Sequence, residues 1–260
     1  KAEDKRGRIK EGHEPHLRLH ALPPCDEVAL ASGDPPQNKS GNPRRLRYLI
    51  QSRLGENMES QFVTVLEPYD KIPFIQQVRK LKVEHKADLN SVTAISVELE
   101  NGMTDILINC EEPAQVKIGN DIEFDGQFGM IRFVEGEVKC MRMSNSRLLK
   151  VKDLELTSKA AAYKGKVTKV DASNPEKNLV FLEPALPQDA QLVGQTIHFQ
   201  NNLPLDTSYE IKAVGENWVS TGDITIVAGF KDPTDFNSGY KYLVNVGDEY
   251  VVPTCVGLDR

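Results

Sequence analysis

Residues 92–110 read VTAISVELENGMTDILINC, two apolar, β-branched runs separated by Asn101-Gly102. An Asn-Gly pair between such runs is the signature of a tight type I′ hairpin, which needs φ > 0 at both central residues. On both sides of this stretch the pattern repeats. Residues 46–51, 61–67 and 76–84 precede it as strand-like runs, and 121–124, 129–135 and 137–143 follow it. Turns are expected at Asp125-Gly126 and Glu135-Gly136. Further upstream, residues 16–22 (HLRLHAL) alternate, and 27–31 follow a Pro-Pro-Cys-Asp turn. Residues 32–45 (SGDPPQNKSGNPRR) are loop by composition, because Gly, Pro, Asn and Ser supply turn geometry. No segment longer than about ten residues carries a helical apolar period. Residues 151–162 are the best helix candidate, and DLELTS within them reads equally well as strand.

From Gly165 onward the runs shorten, and turns recur about every eight to twelve residues, the cadence of a small barrel or sandwich. The expected fold class is therefore all-β, in two domains with a boundary near residues 156–164. Composition agrees. With 39% hydrophobic and 27% charged residues, the 260-residue chain can bury a core and is not a disordered tail. No apolar run approaches the ~18 residues of a membrane-spanning helix. A net charge of −6 gives no global electrostatic reason to bind nucleic acid.

The motifs of common chemistries are absent: no Gly-rich phosphate loop, no G-x-S-x-G elbow, no H-E-x-x-H and no spaced Cys/His finger. Cys25, Cys110, Cys140 and Cys255 stand far apart, and Cys110 and Cys140 sit in apolar runs that suit buried free thiols. His13, His16 and His20 lie close together, and on a strand His16, Arg18 and His20 share one face. A histidine pair alone does not complete a tetrahedral zinc set, so a solvated strand face is the expectation there. Arg44, Arg45, Arg47 and Arg53 cluster around Tyr48. Their planar forks suit bidentate contacts to carboxylate or sulfate, and pairing with Glu56 and Glu59 is the alternative. Trp218, the only tryptophan, reads as core, and the acid pairs Glu111-Glu112 and Asp232/Asp235 as solvated loops.

The segments GHEPHLRLHAL (12–22) and LRYLIQSRLGENMESQFVTVLEPYDKIPFI (46–75) together resemble the heparinase II/III family of polysaccharide lyases. The specific part is R-x-G-E-N-x-E-S-x-F-V-T-V-x-E-P-Y, from Arg53 to Tyr69, preceded by a family-like strand carrying Gly12, His16 and His20. The tail from Gly165, ending in Gly247–Pro253, is similar to the small β-domain that closes many members. The resemblance implies part of a large antiparallel β-sandwich over residues 1–158 and a small all-β domain over 159–260. In the family, a helical toroid and the first part of the sandwich supply the catalytic tyrosine and histidine. This chain carries no counterpart, so no catalytic residue, metal ligand or cofactor is assigned and the chain alone is expected to be inactive.

What the resemblance implies is β-elimination on a uronic-acid-containing polysaccharide by a secreted or periplasmic parent enzyme. This chain would scaffold the missing N-terminal toroid and line its cleft. The substrate-binding candidates are His16, Arg18, His20, Arg45, Arg47 and Arg53, with an anionic polysaccharide as partner, no nucleic acid and no membrane span. A stand-alone carbohydrate-binding module is the alternative function. An incomplete sandwich would leave apolar strand faces uncovered, which makes a homo-oligomer a further expectation.

Overall fold

The computed structural model describes residues 12–35, 44–88, 91–188, 190–201 and 207–260. The charged stretch 1–10 and the middle of the 32–45 loop lie outside the described residues. The first eleven strands are β1 (Pro15–Leu22), β2 (Glu27–Gly33), β3 (Leu46–Ser52), β4 (Val63–Asp70), β5 (Ile75–Lys80), β6 (Glu84–His85), β7 (Val92–Leu99), β8 (Met103–Ile118), β9 (Ile122–Val134), β10 (Glu137–Val151) and β11 (Leu154–Thr157). Ten more follow: β12 (Ala162–Asp171), β13 (Asn178–Glu183), β14 (Thr196–Gln200), β15 (Thr207–Glu210), β16 (Ala213–Val214), β17 (Trp218–Gly222), β18 (Val227–Asp232), β19 (Asp235–Tyr242), β20 (Glu249–Pro253) and β21 (Cys255–Asp259). Every pairing is antiparallel, and one 3-10 turn at Ala190–Leu192 is the only helical element among the described residues. The chain is all-β.

The first large sheet runs β11-β10-β9-β8-β7-β5, with β6 on a second stretch of β8 and β21 on β10. Strands β8, β9 and β10 are long, and their pairing slips between Asn109 and Ala114 and between Ser146 and Leu148. Bulges at one level bend a sheet. The ladder therefore folds over, and one core takes side chains from both halves. Val92, Ala94, Ile108, Ile131, Met141 and Met143 come from one half, and Val116, Phe124, Leu149, Val151 and Leu156 from the other. Two packed layers from one bent sheet make a sandwich.

The turns correct the sequence reading in three places. At 99–103 the loop has three residues. Only Gly102 takes positive φ (79°), Gly102 N–H donates to Leu99 O, and the Asn101 side chain accepts from Met103 N–H. The two-residue turn with both φ positive occurs instead at Glu135-Gly136 (52° and 82°). Asp125-Gly126 is no turn but lies inside β9, where Gly126 lets the Ser146 side chain approach the bulge. The helix candidate 151–162 is a turn followed by β11, because Leu156 alternates into the sandwich core.

The second large sheet runs β15-β14-β20-β12-β13-β17-β16. Its two edge strands are consecutive in sequence, separated only by Ile211 and Lys212. Ile211 N–H donates to Gln195 O on the β14 side, and Lys212 N–H donates to Ser220 O on β17. One continuous run of chain thus pairs both ends of the sheet and closes it into a small barrel. Ile197, Phe199, Val180, Leu182, Val219, Tyr250 and Val252 fill its interior. Gly165 on β12 is required there, since a Cβ would run into the Glu183 carbonyl and the Tyr250 ring. After β20 the chain leaves the barrel, and β21 pairs with β10 of the first sheet.

Three two-stranded ribbons stand outside these sheets: β1–β4, β2–β3 and β18–β19. The first packs one face on β5 and β7, where Val63, Val65 and Leu22 meet Ile75, Ile95 and Val97. Its other face turns Leu17, Leu19 and Leu66 to solvent, and β2–β3 exposes Val28, Leu30, Tyr48 and Ile50.

Candidate functional site

The β1–β4 register sets His16 opposite Tyr69, Arg18 opposite Glu67 and His20 opposite Val65. His16, Arg18 and His20 do share one face, as alternation requires, but that face turns toward β5. The reason is Glu67, whose side chain is wholly buried and gathers four donors. Arg18 Nε lies 2.6 Å and His20 Nε2 2.9 Å from one carboxylate oxygen. The backbone N–H groups of Phe74 and Ile75 donate to the other at 2.6 and 2.7 Å. Arg18 also reaches the Ile75 carbonyl. The Arg18 guanidinium first, then these N–H groups and His20, hold the Glu67 carboxyl at about 2 against the cost of burial. A buried carboxylate is tolerated only when paired and hydrogen-bonded in this way.

Beyond the clamp the same face opens outward. His16 stacks on Tyr69 with ring centroids 5.1 Å apart and planes 14° from parallel, and the Arg18 guanidinium sits 5.8 Å from the Tyr69 centroid. His13 Nδ1 pairs with Asp70 at 2.8 Å, and Glu14 N–H caps the same carboxylate. These contacts hold the Asp70 carboxyl below its usual range, the Glu14 N–H contributing most. The ribbon end is therefore a fixed stack of aromatic rings beside one cation whose charge Glu67 already balances.

The arginines of the second cluster are not brought onto this face. Arg45 lies just before β3, highly exposed, with Nε 3.6 Å from Asp34. Arg47 is on β3 beside Ser32, exposed and outside any ion pair among the described residues. Arg53 follows β3 half-buried, and its Nε has no partner among the described residues. Among the described residues no group of three or more His, Cys, Asp or Glu side chains is arranged to hold a metal. All four cysteines are free thiols. Trp218 is half-buried, with Gly215 beneath it and the Lys177 ammonium 5.1 Å above its ring. Glu111-Glu112 belong to β8 rather than to a loop.

Alternation along 16–22 found the basic face but not its keystone. Glu67 and Tyr69 stand in the quoted motif, and the spacing of Glu67 and Tyr69, two residues apart on a strand, was the signal that both lie on one face. No family model, curated protein or solved structure matches this chain.

Proposed function

We propose that this chain is the β-region of a polysaccharide lyase of the heparinase II/III type, holding a uronate-containing polymer beside a catalytic toroid. One observation carries this. The two segments on which the resemblance rests, 12–22 and 46–75, are neighbours in space, paired over eight residues and locked by Arg18–Glu67–His20. A motif whose acidic residue is a buried, hydrogen-bonded anchor between its two halves has a structural reason to hold its Arg, His and Glu together.

Chemically, elimination at C5 of a uronate needs its carboxylate neutralised and a base and an acid near the leaving oxygen. The described residues offer the first part only. Arg45 and Arg47 are exposed cations that can meet carboxylate or sulfate, and the His16–Tyr69 stack offers an aromatic surface at the ribbon end. The leucines on the outer face of β1–β4 and the apolar side chains of β2–β3 would receive the toroid, since a lone ribbon is marginal in water.

The test is affinity electrophoresis of the full chain in gels containing alginate, heparan sulfate or a neutral glucan. Retardation by an acidic polymer, absent with glucan, is expected, together with no unsaturated uronate product. Arg47→Ala should weaken retardation by about 1–3 kcal/mol, the scale of a lost charged hydrogen bond, with folding intact. Equal mobility in every gel, or an unchanged Arg47→Ala variant, would remove the proposal. Product formation by this chain alone would contradict the division of labour.

A further inference from the structure

The β18–β19 ribbon pairs only with itself among the described residues and carries a row of four aromatic rings. Phe230 is paired with Tyr240, and Tyr242, two residues on, shares their face. Centroids are 4.8 Å apart from Phe236 to Phe230, 5.5 Å from Phe230 to Tyr240, and 6.4 Å from Tyr240 to Tyr242. Mutual ring packing explains how an isolated ribbon holds its register. It does not explain why Phe236 is left 70% and Tyr240 47% exposed.

At its Tyr240–Tyr242 end the row runs into an open groove of about 530 Å³ against β12. Lys169, Lys231 and Lys241 line this groove, and no carboxylate does. Lys231 and Lys241 form no ion pair among the described residues, while Lys169 sits 3.7 Å from Asp171 and 4.8 Å from the Phe181 centroid. On a protein of net charge −6, two ammonium groups outside any ion pair among the described residues, Lys231 and Lys241, beside a third are a local exception. The volume is that of a small-ligand site.

We propose that this groove binds an acidic saccharide, a carboxylated or sulfated sugar segment. Its anionic groups meet Lys231 and Lys241, and the apolar faces of its pyranose rings lie against Tyr240 and Tyr242, all four of which line the groove. Single-stranded nucleic acid fits less well. Rings tilted by 31° to 67° onto one another are not separate platforms for successive bases. The groove lies on the barrel side of the chain and does not depend on the β1–β4 ribbon, so it stands whether or not the lyase proposal does.

The full chain is titrated by calorimetry and amide NMR with a sulfated glycosaminoglycan tetrasaccharide, a tetra-uronate, a neutral glucotetraose and a short oligothymidylate. Shifts at Lys231, Tyr240 and Lys241 with an acidic tetrasaccharide are expected, and none with glucotetraose. The Lys231→Gln/Lys241→Gln variant and, separately, Tyr240→Ala should each weaken binding on the order of tenfold, and Arg47→Ala should leave it unchanged. Absence of acidic tetrasaccharide binding, unchanged affinity in both groove variants, equal binding of the neutral sugar, or tighter binding of oligothymidylate at the same residues would overturn the proposal. Tetrasaccharide binding here without polymer retardation dependent on Arg47 counts against the ribbon function alone.

Discussion

Replacing Glu67 with Gln removes one charge and almost no volume, and it should loosen the β1–β4 ribbon out of proportion to its size. The carboxylate accepts from four donors. One amide oxygen can satisfy the two backbone N–H groups or the Arg18 and His20 pair, not both. Two hydrogen bonds involving charged groups are lost, at about 1.5–3 kcal/mol each. Arg18 is 40% exposed and recovers part of this through water, so the lower end, about 3 kcal/mol, is expected. Hydrogen exchange of the residues 15–22 amides reads it directly, as an acceleration on the order of a hundredfold. The pH dependence supplies the sign. A carboxyl held at about 2, against 4.5 unfolded, stabilises fully above pH 4.5 and loses that contribution as pH falls toward 2. The gap between wild type and Glu67→Gln should therefore be constant near neutrality and close across that acid window. A variant within about 1 kcal/mol of wild type at pH 7, or a gap that widens on acidification, would refute the clamp.

Other expectations follow from single contacts. Gly165→Ala places a methyl against the Glu183 carbonyl and the Tyr250 ring, and should lower barrel stability by about 1–3 kcal/mol in urea unfolding. Arg142→Ala removes the Nη2 contact to both Asp259 carboxylate oxygens and the Nη1 bond to the Leu258 carbonyl, and should speed exchange of the residues 255–259 amides while leaving the barrel core protected. Burial pushes the Cys110 and Cys140 thiols up, whereas Cys255 is exposed. Under native alkylation near neutral pH, Cys255 should label first and Cys110 last, as followed by peptide mass spectrometry.

The strands were legible wherever alternation or β-branched runs were long: β7 follows the sequence closely, while β8, β9 and β10 contain the expected runs and continue well past them. What composition could not reveal was how far one strand continues through a bulge. Asp125-Gly126 looks like a turn because Gly permits one. The slip in register that Gly126 accommodates depends on Ser146 in a neighbouring strand, which no local pattern encodes. The Asn101-Gly102 and Glu135-Gly136 loops make the same point, since strand twist and register chose which one became the two-residue turn. At the candidate site, residues 16–22 announced a basic face but not its direction. Leu17 and Leu19 would ordinarily point inward, yet they face solvent because Glu67, 49 residues from Arg18, draws the basic side onto β5. The aromatic row was invisible for a related reason. Phe230, Phe236 and Tyr240 stand in residues whose Asp, Gly and Asn content reads as turn, and only the ribbon pairing aligns them.

The return of β21 onto β10 orders events in time as well as in space. Until the barrel residues have been synthesised and β21 follows, β10 presents bare N–H and C=O groups along residues 140–144. The sandwich is thus sealed by the segment of chain that emerges after the whole barrel, with the Arg142 fork as its latch across 117 positions. A ribosome paused before residue 255 would hold a sandwich with one adhesive flank, and a chaperone or a second nascent copy would find that flank first.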